Sequence, residues 1–254
     1  MRLVCVFCAF VSGLLGQTLV PPLAGTVLDA EGRIALLHGV MGNVLPPQYA
    51  PGYATGPPEL QGETILGAAF NANGGVLKTD SHLVVLDNHM ALLSIQSAPQ
   101  GKALFGFSSD GTPSWVLYVA NAELVNLSSG SSITANGVIA LGPSNNSSVQ
   151  LLTSKGQQLW AGTVSAEAQA AIPGSAPAAF FQRGWLSTSP TGLIWSPAAG
   201  GAAREIALPE PALTIQTAAG DAVAINGRWL LNSRFQLLEI PGMRRKAPRQ
   251  EAHP

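Results

Sequence analysis

The sequence predicts an all-β fold, and the length of its apolar runs carries that prediction. Apolar stretches of about four to seven residues, the length of strands rather than helices, alternate with Gly, Pro, Asn and Asp. Examples are the runs 65–70, 82–86, 90–95, 103–107 and 115–119. Only residues 165–171 have the composition of a short helix, which the following Pro173-Gly174 would end.

Glycine-centred turns recur along the chain, and each precedes an apolar or tryptophan-bearing run. Their glycines lie at positions 32, 74, 111, 156, 192 and 227, at intervals of 42, 37, 45, 36 and 35 residues. Tight hairpins need the positive φ that Asn-Gly and Asp-Gly supply, and a period of about 40–45 residues is typical of a four-stranded propeller blade. The spacing predicts a β-propeller of about six small blades; a tandem of β-sandwiches is the alternative.

One turn also carries a family resemblance. Residues 107–115, Phe-Ser-Ser-Asp-Gly-Thr-Pro-Ser-Trp, resemble the Phe-Ser-Pro-Asp-Gly hairpin of WD-repeat-like and Tol-type periplasmic propellers, and residues 154–160 are similar to a degenerate copy. Ser109 stands where that hairpin has proline, and no Trp-Asp pair closes a blade. The resemblance spans roughly residues 24–240. It implies the fold of secreted bacterial β-propeller repeat proteins.

The N-terminus has the pattern of an export signal. A positive charge at Arg2 is followed by an apolar run over 3–15 and by small and polar residues at 16–18. The run of about 13 residues is shorter than the roughly 20 that a membrane-spanning helix needs. We expect a signal peptide at 1–16, export to the bacterial periplasm or the exterior, and no transmembrane span in the mature chain. A buried first strand or a short membrane anchor are the alternatives.

The rest of the chain divides into one domain and a tail. Both cysteines, Cys5 and Cys8, lie within the predicted signal, so the mature chain would hold no disulfide or cysteine–zinc site. We assign residues 17–240 to the propeller. Residues 241–254 hold four of the 13 Lys and Arg residues without an apolar pattern, which predicts a disordered basic tail. The ring is expected to close by pairing residues 26–28, or the strand before them, with residues 235–240.

Composition and motifs narrow the function classes. The chain is 46% hydrophobic and 11% charged, with a formal net charge of -1, so it has neither the composition of a disordered chain nor a basic surface for nucleic acid. The candidate metal ligands form two pairs, Asp80 with His82 and Asp87 with His89. A predicted strand separates the two pairs by about 17 Å, which is too far for one ion. We interpret them as turn residues, and predict no catalytic residue, metal or cofactor.

Aromatic residues are the remaining candidates for binding. Tyr49 and Tyr53 lie in a Pro- and Gly-rich segment, residues 44–62, that either presents rings to a ligand or connects the first two blades. We name these two tyrosines as candidate ligand-binding residues. Tryptophans at 115, 160, 185, 195 and 229 follow turns in several repeats, which favours packing between blades over a stacked ligand surface.

These observations predict a monomeric, exported, non-catalytic scaffold that binds a protein or glycan through loops on one face. The alternative is a periplasmic or secreted carbohydrate-active enzyme. The two differ at the central axis of the ring. An enzyme is expected to gather carboxylate, His or Arg side chains there, whereas a scaffold is expected to show Ser, Ala and aliphatic side chains.

Overall fold

The structure is a computed structural model that describes residues 23–29, 32–40, 43–49, 60, 62–164, 169–218 and 222–243. The predicted signal peptide, Tyr53 and the tail from residue 244 onward lie outside the described residues. The described residues form six four-stranded antiparallel sheets. The all-β prediction is confirmed.

The first three sheets, blades 1 to 3, hold the N-terminal half of the described chain. Blade 1 contains β1 (Leu23–Leu28), β2 (Ile34–Val40), β3 (Asn43–Val44) and β4 (Gln48–Tyr49). Blade 2 contains β5 (Gly67–Asn71), β6 (Gly74–Lys78), β7 (His82–Asp87) and β8 (Leu92–Ser97). Blade 3 contains β9 (Ala103–Phe107), β10 (Pro113–Tyr118), β11 (Glu123–Asn126) and β12 (Ser132–Thr134), with a 3-10 turn at Val119–Asn121.

Blades 4 to 6 follow in the same order. Blade 4 contains β13 (Val138–Ser144), β14 (Val149–Lys155), β15 (Gln158–Thr163) and β16 (Ala170–Ile172). Blade 5 contains β17 (Ser175–Phe181), β18 (Gly184–Ser189), β19 (Gly192–Pro197) and β20 (Arg204–Ala207). Blade 6 contains β21 (Ile215–Ala218), β22 (Ala222–Ile225), β23 (Trp229–Leu231) and β24 (Leu237–Glu239).

The blades are arranged in a ring. In blades 2 to 6 each strand pairs with the next strand in the chain, whereas in blade 1 both short strands β3 and β4 pair with β2. The first strands contact one another in a closed cycle, β1 to β5, β9, β13, β17, β21 and back to β1. This cycle is that of a six-bladed β-propeller, as the glycine spacing predicts. A tandem of sandwiches has no such cycle.

The six glycines do not occupy equivalent positions. Glycines 32, 74 and 111 belong to the first hairpins of blades 1, 2 and 3, which join the first and second strands, whereas glycines 156, 192 and 227 belong to the second hairpins of blades 4, 5 and 6. All six have positive φ. Either hairpin of a blade can contain a residue with that conformation, so glycine marks a tight turn and not a fixed place in the blade.

The hydrophobic core is divided into six clusters, and each cluster fills the space between two adjacent blades. Ile34 of blade 1, for example, packs with Phe70, Leu77 and Val84 of blade 2. The other clusters join the remaining neighbouring blades in the same way, including blade 6 with blade 1. A single sheet cannot bury both faces, so the ring is the arrangement that covers them.

The predicted closure by shared strand pairing is wrong for residues 26–28. Val27 pairs with Ala35 within blade 1, and β24 pairs with β23 within blade 6. Residues preceding β1 lie outside the described part. The ring closes through side chains, because Val27 and Leu37 of blade 1 pack against Ala224 and Leu230 of blade 6. Met243, which the sequence assigns to the tail, is 9% exposed and belongs to this cluster.

The predicted helix at 165–171 is also wrong where the structure describes it. Ala170 and Ala171 belong to β16, and Ala171 pairs with Trp160 of β15. Residues 165–168 lie outside the described part. The position of outer strand in blade 4 therefore overrides the helix propensity of this short alanine-rich segment, as tertiary pairing commonly does.

Candidate binding site at the axial mouth

Successive strands of a blade run in opposite directions, so their turns lie alternately on two faces of the ring. The front face carries the turns between first and second strands, residues 72–73, 108–112, 145–148 and 182–183 in blades 2 to 5. The back face carries the turns between second and third strands, residues 79–81, 119–122, 156–157 and 190–191 in the same blades. The axis of the ring opens on both faces.

A cavity of about 790 Å³ occupies the axis at the front face. It lies where first strands from five blades end, and we call it the front cavity. Its lining is mainly apolar, with polar groups toward the rim. The described residues lining it include Phe70, Asn71, Phe105, Phe107, Ser108, Ser109, Leu141, Pro143, Phe180, Phe181, Gln182, Arg183 and Thr217.

The phenylalanines of the front cavity are held by the core beneath them. Phe70 and Phe181 are 1% and 4% exposed, and each belongs to a cluster between blades. The Phe180 ring meets the Trp185 ring edge to face, with centroids 5.1 Å apart. Because these rings pack against buried neighbours, the cavity wall is preformed rather than assembled by a ligand.

Hydrogen bonds also join the front turns of blades 2, 3 and 4. The side-chain amide of Asn71 donates to the carbonyl oxygen of Gly111 over 2.8 Å, and that of Asn73 donates to the carbonyl oxygen of Asp110. The amide of Asn126 in blade 3 donates to the carbonyl oxygen of Asn146 in blade 4 over 2.6 Å. These bonds fix neighbouring turns relative to one another on one side of the front cavity.

The turn of blade 5 differs in its backbone. Gln182 and Arg183 have φ of 47° and 57°, and Phe181 pairs with Gly184 directly across them. Positive φ at both central residues characterises the tight hairpin for which Asn-Gly is favoured. Arg183 is exposed and is the one charged residue among the described residues that line the front cavity.

A second cavity of about 440 Å³ opens on the back face. Its lining includes Leu66, Ala103, Leu104 and Ile139, and Lys102 is the charged residue among its described lining. At its wall, the backbone N–H of Leu28 donates to the side-chain oxygen of Gln216 over 3.4 Å, which links blade 1 to blade 6. The described lining of both cavities is dominated by Ala, Leu, Val, Ile and Phe.

Tyr49 lies away from this axis. It forms part of β4, opposite Ala35 near the front end of β2, so its ring is on the outer part of blade 1 toward the front face. Tyr49 is 37% exposed. The Arg33 guanidinium lies 4.2 Å from its centroid and donates to its hydroxyl over 2.9 Å. Tyr53 lies outside the described residues.

The phenylalanines of the front cavity were not predicted from the sequence. The one available signal was positional, since Phe70, Phe107 and Phe181 each stand immediately before a polar residue that opens a front turn. Nothing in the sequence shows that these three residues, from three blades, meet on one axis.

The two aspartates among the candidate metal ligands stabilise turns. The Asp87 carboxylate accepts the backbone N–H groups of His89 and Ala91 at one end of β7, over 2.8 and 2.7 Å. Asp80, at the other end, accepts the N–H of Thr64 over 2.8 Å. Within the described residues no group of three His, Cys, Asp or Glu side chains could hold a metal ion.

Among the described residues, Glu63 and His82 form a polar cluster whose composition suggests acid–base chemistry. His82 Nδ1 lies 2.7 Å from the Glu63 carboxylate and 3.2 Å from the Ser81 hydroxyl. A Ser-His-acid relay needs the hydroxyl at one ring nitrogen and the carboxylate at the other, whereas here both partners share Nδ1. The cluster instead fastens the turn between β6 and β7, since Thr79 and Ser81 both donate to Glu63.

The electrostatics of Glu63 agree with that structural role. Desolvation by burial raises its pKa, but hydrogen bonds from Ser81, Thr79 and His82 outweigh this effect and lower the pKa from 4.5 to about 2. Beneath the same turn, the fully buried ammonium of Lys78 donates to the carbonyl oxygen of Thr79. Burial lowers the pKa of Lys78, against the attraction of Glu63 and Asp80.

Packing between blades was predicted for all five tryptophans, and four of the five pack in this way. Trp115 and Trp185 are 5% and 2% exposed and lie within inter-blade clusters, and Trp195 and Trp229 pack against the cluster of blades 5 and 6. Trp160 is half-buried on β15. The first four therefore serve packing and not a stacked ligand surface.

Comparison with known proteins gives similarity at the level of structure alone. No family model matches the chain, and no curated protein matches it in sequence. The C-terminal WD40 domain of Sif2 is 14% identical with a TM-score of 0.43, over 83% of this chain and 66% of that one. PorZ, described as an essential bacterial surface component of the type-IX secretion system of Porphyromonas gingivalis, is 13% identical with a TM-score of 0.48.

The PorZ match covers 85% of this chain and only 30% of PorZ. A protein of unknown function from Bacteroides caccae is 8% identical with a TM-score of 0.47, over 86% of this chain and 95% of that one. At these identities and TM-scores the matches assign neither family nor activity. No helix in the described part of the chain is long and apolar enough to cross a membrane.

Proposed function

We propose that this protein is an exported, non-catalytic scaffold that binds a protein partner through its front face. The observation that carries the proposal is the front cavity, an opening of about 790 Å³ that is lined by phenylalanines from the first strands of three blades. Its volume lies within the roughly 300–1,000 Å³ of typical binding pockets. A partner would insert apolar side chains there and contact the polar turns around the rim.

The chemistry of the lining favours a protein segment over a glycan. Sugars need many hydrogen-bonding groups, while the deeper wall of the front cavity offers the apolar Phe105, Leu141 and Phe180. Buried apolar anchors surrounded by a polar rim are the usual energetic centre of protein interfaces. Tyr49, half-exposed and near the front end of blade 1, extends the proposed contact surface outward, and Tyr53 stays a candidate ligand-binding residue. The scaffold is proposed to act as a monomer without metal or cofactor.

The proposal includes export. Export is supported by the positive charge at Arg2 and the apolar run over 3–15, which have the pattern of a signal peptide at 1–16. The mature protein would then begin with the domain from residue 17. N-terminal sequencing of protein from the periplasm or medium is expected to begin between about residues 15 and 19. Soluble cytosolic protein that retains Met1 contradicts export.

Site-specific photo-crosslinking tests the binding face. A photoreactive amino acid is placed at Ser109, an exposed front turn residue that lines the front cavity, or at Thr191, an exposed back turn residue. The variants are expressed in the native host. We expect a discrete adduct from Ser109 and none of the same mass from Thr191. Equal adducts from both positions, or an adduct from Thr191 alone, contradict a front-face partner.

A blocking pair extends the same test. Ser109→Trp places an indole at the mouth of the front cavity and is expected to abolish the adduct formed from a photoreactive group at Ala72, another lining residue. Ser129→Trp makes the same change at an exposed turn outside the lining and is expected to leave the adduct intact. An adduct that survives Ser109→Trp shows that the partner does not enter the cavity.

A further inference from the structure

We propose that Arg183 makes the front cavity selective for a protein segment in which an acidic side chain stands next to a large apolar one. The carboxylate would pair with the Arg183 guanidinium at the rim, and the apolar side chain would enter between the phenylalanines. This inference rests on the proposed function and names the chemistry of the partner.

The first observation is the charge of Arg183. Arg33 and Arg228 are engaged by carboxylates, Asp29 and Glu239, each over 2.7 Å. Arg183 is exposed and forms no ion pair with the described residues, although it lines the front cavity. Its guanidinium is therefore available to a ligand. A guanidinium binds a carboxylate through two parallel N–H bonds, which fixes direction as well as charge.

The second observation is the backbone that carries Arg183. At φ of 57°, with Gln182 at 47°, the turn places two long side chains where Asn-Gly would be the stable choice. A residue other than glycine in this conformation costs stability, and such costs concentrate at functional sites. In blade 6, by comparison, the tight turn between the second and third strands is Asn226-Gly227. The loss of stability in the blade 5 turn is explained if the Arg183 side chain is needed to bind a ligand.

The third observation is the position of the apolar surface. Phe180 and Phe181 directly precede the Gln182-Arg183 turn and line the same cavity. A ligand whose carboxylate meets Arg183 therefore has its neighbouring side chain close to these rings. The apolar side chain would be buried against these rings, while the ion pair at the exposed rim would fix the direction in which the segment binds.

Binding of short matched peptides tests the proposal. The probes are acetyl-Asp-Phe-amide, acetyl-Asn-Phe-amide, acetyl-Lys-Phe-amide and acetyl-Asp-Gly-amide, titrated into the full mature protein by NMR. We expect acetyl-Asp-Phe-amide to bind tightest, with Kd about tenfold below that of the Asn peptide, as a charged hydrogen bond provides. Binding should weaken as salt is raised, and the peptide lacking Phe should bind weakest.

Three variants separate binding from folding. Arg183→Gly removes the guanidinium and suits the positive φ, so it is expected to abolish the preference for Asp while leaving Tm unchanged or raised. Arg183→Glu is expected to reverse the preference toward acetyl-Lys-Phe-amide. Arg234→Gln removes an exposed charge from another front turn, which lies in blade 6 and outside the lining. It is expected to change neither the preference for the Asp peptide nor Tm.

The outcomes distinguish this inference from the proposed function. Equal affinities for the Asp and Asn peptides overturn the role of Arg183 and leave apolar binding in the front cavity standing. An Asp preference that survives Arg183→Gly also overturns it. If no peptide shifts resonances of the lining residues, the inference fails, and crosslinking from Ser109 then decides whether the front face binds a partner at all.

Discussion

The indole Nε1 of Trp115 donates a hydrogen bond of 2.8 Å to the backbone carbonyl oxygen of Asn145, 30 residues later in the chain. Trp115 belongs to the second strand of blade 3, and Asn145 opens the front turn of blade 4. Beside this bond, the hydroxyl groups of Ser114 and Ser144 lie 2.5 Å apart. The contact reinforces the isolated parallel bridge between Ser108 of blade 3 and Ser144 of blade 4, and it positions one side of the front cavity.

Removing the indole donor is expected to weaken this junction. Trp115 is 5% exposed and packs between blades, so Trp115→Phe loses both volume and a hydrogen bond. We expect a loss of about 1–3 kcal/mol in the free energy of unfolding, measured by urea denaturation. Trp160→Phe changes a half-buried indole outside the clusters and is expected to cost less. Equal losses for the two variants would show that the bond to Asn145 contributes nothing.

Two turn glycines of similar φ differ in their surroundings and allow strain to be separated from steric clash. Gly111 has φ of 82°, and a Cβ there would lie 2.6 Å from the Asn73 amide nitrogen. Gly156 has φ of 64° and no atom within 4 Å of such a Cβ. We expect Gly156→Ala to cost about 1 kcal/mol through φ alone, and Gly111→Ala to cost more. Thermal melts giving the opposite order contradict the inter-blade contact at Gly111.

The lowered pKa of Glu63 predicts a specific pH dependence. A carboxyl group whose pKa falls from 4.5 to about 2 on folding stabilises the fold above pH 4.5, and that contribution is lost as pH falls toward 2. Glu63→Gln keeps the size but not the charge. We expect it to lower Tm at pH 7 and to flatten the fall of Tm between pH 4.5 and 2.

An exposed glutamate provides the control for that measurement. Glu205 is exposed on β20, and Glu205→Gln is expected to leave the pH profile of the wild type unchanged. If the Tm of Glu63→Gln and the Tm of the wild type fall in parallel over this pH window, the hydrogen bonds from Ser81 and Thr79 do not stabilise the ionised form of Glu63.

Closure of the ring through side chains is tested by a pair of leucines. Leu37 is fully buried between blades 1 and 6, whereas Leu93 is 64% exposed on β8. We expect Leu37→Ala to cost about 2–5 kcal/mol and to expose the blade 1–blade 6 junction to limited proteolysis. Leu93→Ala should stay within about 0.5 kcal/mol of the wild type. A mild effect of Leu37→Ala would require a different means of closure.

C-terminal truncations locate the end of the domain. A chain ending at Met243 keeps β24 and the closure cluster and is expected to melt like the full chain. A chain ending at Arg234 loses β24 and Phe235, whose ring packs 5.1 Å from Trp195, and is expected to unfold cooperatively at a lower temperature or to aggregate. Similar melting of the two truncated chains contradicts the packing of blade 6 described above.

The local sequence was sufficient to predict the strands and the hairpins that join them. The apolar runs 82–86 and 103–107 correspond to β7 and β9 within one residue, because alternation and run length are properties of neighbouring residues. The positive φ of Gly111, Gly156 and Gly192 was predictable for the same reason. Repetition of such hairpins along the chain then predicted the ring of about six blades, since one blade alone leaves apolar surface uncovered.

Sequence spacing could not reveal which hairpin each glycine occupies. The interval of 45 residues between Gly111 and Gly156 is the longest of the five, and it is the point at which glycine moves from the first to the second hairpin of the blade. Either hairpin satisfies the same local requirement for positive φ. The register within the blade depends on which faces are buried between neighbours, and these contacts are not local.

By itself, then, the sequence determined the all-β class, the repeating hairpins and the packing role of four of the five tryptophans, because strand length, turn conformation and aromatic burial follow from short-range patterns. Tertiary structure alone decided that Phe70, Phe107 and Phe181 share one axial cavity, that Arg183 stands at its rim, and that Leu37 meets Leu230 to close the ring. These residues lie far apart in the chain, and their meeting depends on the angle at which each blade packs on the next.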